Sequence, residues 1–246
     1  MGYFENEFKK HTISNNVNEY YNNLDKPKIM LCDFDNVITF SDLFVCNMLY
    51  KNKDKFGKYL KLDHPFTLSE IYNRDKYYLN DWLKRDDIDE IPKDIIHDLS
   101  SFYSHPDAYN EHIVKFTRFS LILSRKIVKS KKCKSIYILT KNVNSMQDKL
   151  KQELLVKFFD REDLHKIEYA SVKGNKKSET VKDLGIEWDS FADDYLENIY
   201  DLIRCNGFGK EYLIPEYGFN KPDEKASTIF YASNAQIYYM KEEYND

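Results

Sequence analysis

Asp33-Phe34-Asp35 closes a short apolar run, Lys28-Ile29-Met30-Leu31-Cys32, and leads into Asn36-Val37-Ile38-Thr39. Side chains alternate along an extended chain, so carboxylates at i and i+2 of a strand tip share one solvent-facing edge. Like charges held that close repel and shift each other's pKa. A bound cation, or a reaction that uses both groups, would justify the arrangement. Two further strand-like runs end in polar residues of matching kind. Ser135-Ile136-Tyr137-Ile138-Leu139 stops at Thr140, and Ser190-Phe191-Ala192 leads into Asp193-Asp194. In an open α/β sheet ligands bind beyond the carboxyl ends of the strands, so these groups are expected to converge although they lie far apart in sequence. Four aspartates in one crevice call for a counter-ion. Hard oxygen donors in an open site favour Mg²⁺, which keeps several waters and takes a phosphate oxygen. Each residue also has a plainer use. Asp-x-Asp suits a turn or a helix N-cap, Thr140 a cap, and Asp193 or Asp194 the start of a helix near Leu196.

The elements that must position these groups follow from apolar patterning. The unbroken apolar run before Asp33 suits a central parallel strand covered on both faces. Further strands are expected over residues 135–140, 166–172, 190–192 and 211–215, alternating with helices over 145–159, 176–184 and 196–205. Gly185 fits the C-cap of the second of these helices. Alternating strands and helices imply an α/β fold, a Rossmann-like parallel sheet with helices on both faces. The tail at 227–240 shows no clear type, and residues 1–27 read as a polar peripheral segment.

About 100 residues separate Asp35 from Thr140, where an ordinary connection needs only a few. The excess implies a mainly helical domain over residues 41–130, inserted after the first strand. Residues 28–40 and 131–246 then form the core domain. Helices are expected at 44–50, 68–84, 93–103 and 109–129, with Pro65, Pro92 and Pro106 near helix starts. The insert carries Phe44, Phe66, Tyr72, Tyr77, Tyr78, Trp82, Phe102 and Tyr103. Most belong to its own core, and Trp82 or a neighbouring tyrosine is the candidate to stack on a planar base.

Composition narrows the class. Hydrophobic residues make up 42% of the 246 and charged residues 32%, which excludes a disordered chain. A net charge of −4 gives no general attraction to a polyanion, so no stable nucleic-acid binding is expected. The four cysteines lack metal-ligand spacing, and Cys32 and Cys133 lie in or beside strand-like runs, as buried free thiols do. That suits a reducing cytosol. No segment approaches membrane-spanning length, so a cytoplasmic protein with no membrane partner is expected.

Taken together, the motifs resemble those of the haloacid dehalogenase superfamily of phosphatases. Asp33-Phe34-Asp35-Asn36-Val37 resembles its DxDx(V/T) signature, and Ile136-Tyr137-Ile138-Leu139-Thr140 its second motif. Lys177, within Lys176-Lys177-Ser178-Glu179-Thr180-Val181, resembles the lysine of the third. Phe191-Ala192-Asp193-Asp194 resembles the fourth, the acidic pair. All four stand in the family's order across about residues 28–220. The resemblance implies that the insert is a cap covering the site and selecting the leaving group. It implies Asp33 as nucleophile, forming an aspartyl-phosphate, and Asp35 as general acid and then base. Mg²⁺ would bridge Asp33, the backbone carbonyl of Asp35, Asp194 and the phosphate, with Asp193 orienting metal waters or the lysine. Thr140 and backbone N–H groups near Lys141 and Asn142 would hold phosphate oxygens, and Lys177 would neutralise the transferring group. Lys173 and Lys176 are rivals for that role. Val181 and Leu184 follow Lys177 at helical spacing, which places Lys177 at a first turn.

A narrower resemblance is to the 5′(3′)-deoxyribonucleotidases and to viral deoxynucleoside monophosphatases, which would act in the host cytoplasm. Ser104-His105-Pro106-Asp107-Ala108-Tyr109 stands where those enzymes have a proline-glycine-alanine turn. Leu213-Ile214-Pro215-Glu216-Tyr217-Gly218-Phe219-Asn220 resembles their segment ending in tyrosine-asparagine. Asp107 departs from the glycine of that turn, and Asn36 from the glycine that usually follows Asp-x-Asp. The activity implied is Mg²⁺-dependent hydrolysis of (deoxy)nucleoside 5′-monophosphates. Sugar phosphates, 3′-phosphate ends of nucleic acid, and a non-catalytic binding module are the alternatives.

Overall fold

Strand β1, Lys28–Cys32, loses all exposure over its last residues, as expected of a strand covered on both faces. The computed structural model describes residues 28–74, 93–172, 174, 176–205, 208–215, 217–220 and 235–240. The segment 1–27, Tyr77, Tyr78, Trp82 and Lys173 lie outside the described residues. After β1 come helices α1 (Ser41–Lys51), α2 (Lys53–Phe56), α3 (Leu68–Tyr72) and α4 (Lys93–Phe102), a 3₁₀ turn at Pro106–Tyr109, and α5 (Arg118–Ile122), which continues as a π turn at Leu123–Ile127. Then follow β2 (Cys133–Thr140), α6 (Ser145–Phe158), β3 (Ile167–Ser171), α7 (Lys177–Leu184), β4 (Ser190–Ala192), α8 (Leu196–Arg204), β5 (Glu211–Pro215) and β6 (Gln236–Met240).

The strands form one sheet in the order β3-β2-β1-β4-β5-β6, and every pairing is parallel. The fold is α/β, as the patterning implies. The alternation of β1 divides the core. Met30 and Cys32 enter one apolar cluster with Ile136, Ile138, Phe119 and Leu154. Leu31 enters another with Leu139, Phe191, Ile199 and Tyr212. A third cluster belongs to the insert: Phe40, Leu43, Val45, Cys46, Leu49, Phe56, Phe66, Ile71 and Ile95, joined by Tyr217 from beyond β5. The later part of the insert does not share it. Tyr109, Val114, Phe119, Leu123 and Ile127 pack with the sheet.

Two expectations need correction, and one region left open gains a type. The helix expected over 109–129 is broken because residues 115–117 run alongside residues 38–40. Lys115 accepts from Phe40 N at 2.8 Å, and Thr117 N donates to Ile38 O at 3.0 Å. Only then does Thr117 cap α5 by accepting from Ser120 N. Helix α3 stops at Tyr72, with the Asn73 side chain donating to the Ser69 carbonyl; residues 75–84 of the expected helix lie outside the described residues. The tail supplies a sixth strand, β6, whose Ile237 and Met240 are buried against the sheet. Cys32, Cys46 and Cys133 are buried free thiols, and Cys205 is exposed. No helix among the described residues is long and apolar enough to cross a membrane.

Candidate active site

Register explains the convergence at the strand ends. Cys32 pairs with Ile138 on one side and with Ala192 on the other. The residues that follow, Asp33 after β1, Asp193 and Asp194 after β4, and Thr140 at the end of β2, therefore emerge along one edge. Asp33 N donates to Ala192 O at 2.8 Å, which holds the first and fourth strands level there.

Lys177 opens α7 and is buried. Its Nζ lies 2.8 Å from Asp33 Oδ1 and 2.6 Å from Asp193 Oδ2. Of its two rivals, Lys176 is exposed and Lys173 lies outside the described residues. Helix α7 ends on Gly185, whose φ of +62° forms a left-handed cap, so the helix is fixed at both ends. Asp193 is fully occupied. Beyond Lys177 it accepts from Asn198 Nδ2 at 3.0 and 3.2 Å and from Tyr195 N at 2.8 Å. Its role in this geometry is to hold Lys177 and the turn into α8.

Asp33, Asp193 and Asp194 bring carboxylate oxygens within 4.8 Å of one another. Asp194 is wholly buried; Oδ2 accepts from Asn36 Nδ2 at 3.1 Å, and Oδ1 has no hydrogen-bond partner. A buried carboxylate oxygen left alone is costly. Burial, with Asp193 and Asp33 adding repulsion, pushes the Asp194 carboxyl well above the usual range. Burial also raises Asp33, against the pull of Lys177. Attraction from Asp193 and Asp33 holds Lys177 protonated despite its burial. Three carboxyl groups crowd together here with Lys177 paired to two of them, and Asp194 offers an unused oxygen. That donor set fits a hard divalent cation, which Asp33 and Asp194 would hold.

Asp35 takes no part in that group. Its Oδ2 accepts from Lys151 Nζ at 2.6 Å, and its Oδ1 from the Tyr109 hydroxyl at 3.3 Å. Lys151 also donates to Thr140 Oγ1 at 2.8 Å and to the Lys141 carbonyl at 3.1 Å. Gln147 Nε2 donates to Tyr109 Oη at 2.7 Å. Sequence reasoning missed Lys151, Tyr109 and Gln147. A signal existed: Gln147, Lys151, Leu154 and Leu155 form the buried stripe of α6, and a lysine on such a stripe needs partners.

The residues named for substrate contact are placed less uniformly. Thr140 is buried with its hydroxyl on Lys151. Lys141 is exposed. Asn142 Nδ2 donates towards Asp148, Tyr169 and Ser171 at 2.6, 3.0 and 2.9 Å, tying the loop after β2 to α6 and β3, while its buried Oδ1 has no hydrogen-bond partner. Trp82 lies outside the described residues.

No family model matches the chain, and no curated protein does. Among solved structures it is similar to a haloacid dehalogenase-like hydrolase from Streptococcus pneumoniae, with 15% identity and a TM-score of 0.49, over 86% of this chain and 93% of that one. A haloacid dehalogenase-like hydrolase from Xanthomonas campestris matches with 13% identity and a TM-score of 0.43, over 81% and 87%.

Proposed function

We propose that the chain is a Mg²⁺-dependent phosphomonoesterase of haloacid dehalogenase type, hydrolysing (deoxy)nucleoside 5′-monophosphates to nucleoside and phosphate. The observation that carries this reading is the buried clamp at the sheet edge. Lys177 spans Asp33 and Asp193, while Asp194 keeps one oxygen free beside them. A cluster so expensive to bury suits an anionic, metal-assisted reaction more than a purely structural role.

Asp33 attacks phosphorus, forming the aspartyl-phosphate as the ester oxygen leaves with a proton from Asp35. A water then attacks the same phosphorus and gives its proton to Asp35, which releases phosphate and restores both carboxyl groups. Lys177 holds the Asp33 carboxylate in place and offsets charge on the phosphoryl oxygens. Lys151, shared by Asp35 and Thr140, ties the proton donor to the hydroxyl that would bind a phosphate oxygen. Mg²⁺ held by Asp33 and Asp194 would supply further charge stabilisation there. The nucleoside preference rests on the sequence resemblance of the segments around Pro106 and Tyr217 to those of deoxyribonucleotidases.

The test is phosphate release from deoxy- and ribonucleoside 5′- and 3′-monophosphates, sugar phosphates and a 3′-phosphorylated oligonucleotide, with Mg²⁺ and with chelator. Mg²⁺-dependent release concentrated on deoxynucleoside 5′-monophosphates is expected. Release confined to sugar phosphates or oligonucleotide ends would overturn the substrate and keep the chemistry.

A further inference from the structure

Asn36 has φ of +57°, the only positive φ at a non-glycine among the described residues. A left-handed backbone is cheapest for glycine. A side chain kept there therefore suggests work that hydrogen cannot do. Every polar group of Asn36 is engaged, and the residue is buried. Its N–H donates to Thr39 O at 2.7 Å, and its carbonyl accepts from the Tyr217 hydroxyl at 2.8 Å. Its Oδ1 accepts from Asp42 N at 3.3 Å. Its Nδ2 sits between two carboxylates, 2.9 Å from Asp42 Oδ2 and 3.1 Å from Asp194 Oδ2.

Those two carboxylates belong to different parts of the molecule. Asp194 stands at the sheet edge. Asp42 lies in the first turn of α1, the opening helix of the insert, and is held there by other groups of the insert. Arg74 Nη1 lies 2.6 Å from Asp42 Oδ2, and the Tyr103 hydroxyl donates to Asp42 Oδ1 at 2.7 Å. Arg74 in turn lies over the rings of Phe219 and Tyr217 at 4.8 and 5.9 Å. Asn36 thus takes Oδ2 of Asp194 and leaves Oδ1 free, while its own amide is set by the insert.

We propose that Asn36 is a positioning residue that fixes the orientation of Asp194 for a divalent cation and makes that orientation depend on the seating of α1. The proposal rests on the metal reading of the site given above. Groups that orient a metal ligand are typically worth about 10- to 100-fold in metal affinity.

The experiment compares wild type, Asn36→Gly and Tyr103→Phe by titrating Mn²⁺ as a spectroscopic stand-in for Mg²⁺. Free ion is read by electron paramagnetic resonance, without substrate. Glycine suits the backbone at this position, so Asn36→Gly keeps the fold, checked by its melting temperature in chelator. It is expected to bind Mn²⁺ about 10- to 100-fold more weakly, and saturating Mg²⁺ restores most of its turnover. Tyr103→Phe, which touches Asp42 and not Asp194, is expected to weaken Mn²⁺ binding a few-fold. Wild-type Mn²⁺ affinity in Asn36→Gly would overturn the positioning role. Weakening in Asn36→Gly alone would overturn the link to the insert. A wild-type protein that binds no Mn²⁺ would instead overturn the metal reading itself, and this proposal with it.

Discussion

At the scale of single residues, the site separates into two buried lysines with different partners. Lys177 lies between Asp33 and Asp193, on the side of the proposed nucleophile; Lys151 lies between Asp35 and Thr140, on the side of the proposed acid. Asp33→Asn keeps the shape of the side chain and removes the proposed nucleophile. Phosphate release is expected to fall by about 10³-fold or more with the fold retained. Retained turnover would remove Asp33 from that role. Lys151→Met keeps the stem in the buried stripe of α6 and removes the charge. It is expected to cost about 10²-fold in kcat, the scale of losing one fixed electrostatic donor. An unchanged kcat with lower stability would make Lys151 structural only. The sequence made Lys177 legible through its place at a helix start. Lys151 was hidden because a lysine in a long polar helix looks like solvent-facing surface until the stripe is traced.

At the scale of elements, the loop after β5 and the end of α3 are pressed together. A Cβ on Gly218 would stand 2.5 Å from the Arg74 carbonyl oxygen and 2.8 Å from that of Asn73. Both are backbone atoms, so neither side yields easily. Gly218→Ala is expected to cost about 1–3 kcal/mol, as overpacking does, seen as a lower melting temperature. An unchanged melting temperature would mean that this seam is loose. The sheet itself was largely readable. The apolar runs before Asp33, Thr140 and Asp193 gave strands, and Gly185 marked the end of α7. The region 109–129 was not readable in the same way, because its helical periodicity was overridden by pairing of residues 115–117 with 38–40. Strand β6 was left without a type, since a short apolar run such as Ile237-Tyr238-Tyr239-Met240 suits a strand or a helix, and its type comes from pairing with β5. Nor did sequence disclose that Asn142 Nδ2 would be held by Asp148 of α6 and by Tyr169 and Ser171 of β3, since β3 is its neighbour only in the folded sheet.

At the scale of the whole molecule, the buried carboxylates link stability, protons and metal. Asp33 and Asp194 have folded pKa values raised above those of the unfolded chain, chiefly by burial. Their contribution to stability is therefore complete below the unfolded aspartate value of about 3.9. It is lost as pH rises through the raised folded values. In chelator these two groups should weaken the fold as pH climbs through that window. A divalent cation replaces the proton, so the rise in melting temperature on adding Mg²⁺ should grow as pH climbs from the unfolded aspartate value of about 3.9 to neutrality. An increment that is equal at both ends would show that the cation does not bind at these carboxylates. The insert contributes its own apolar cluster, and its Asp42 and Arg74 meet Asn36 and Tyr217 of the core, so the proposed site lies at that boundary.

The central claim is that the sheet-edge cluster hydrolyses a phosphomonoester through Asp33. The most direct measurement is phosphate release from a deoxynucleoside 5′-monophosphate by wild type and Asp33→Asn, each in Mg²⁺ and in chelator. Release by wild type in Mg²⁺ alone, abolished in the variant, is the expected result. Equal release by the two proteins, or none by wild type from any phosphomonoester, would contradict it.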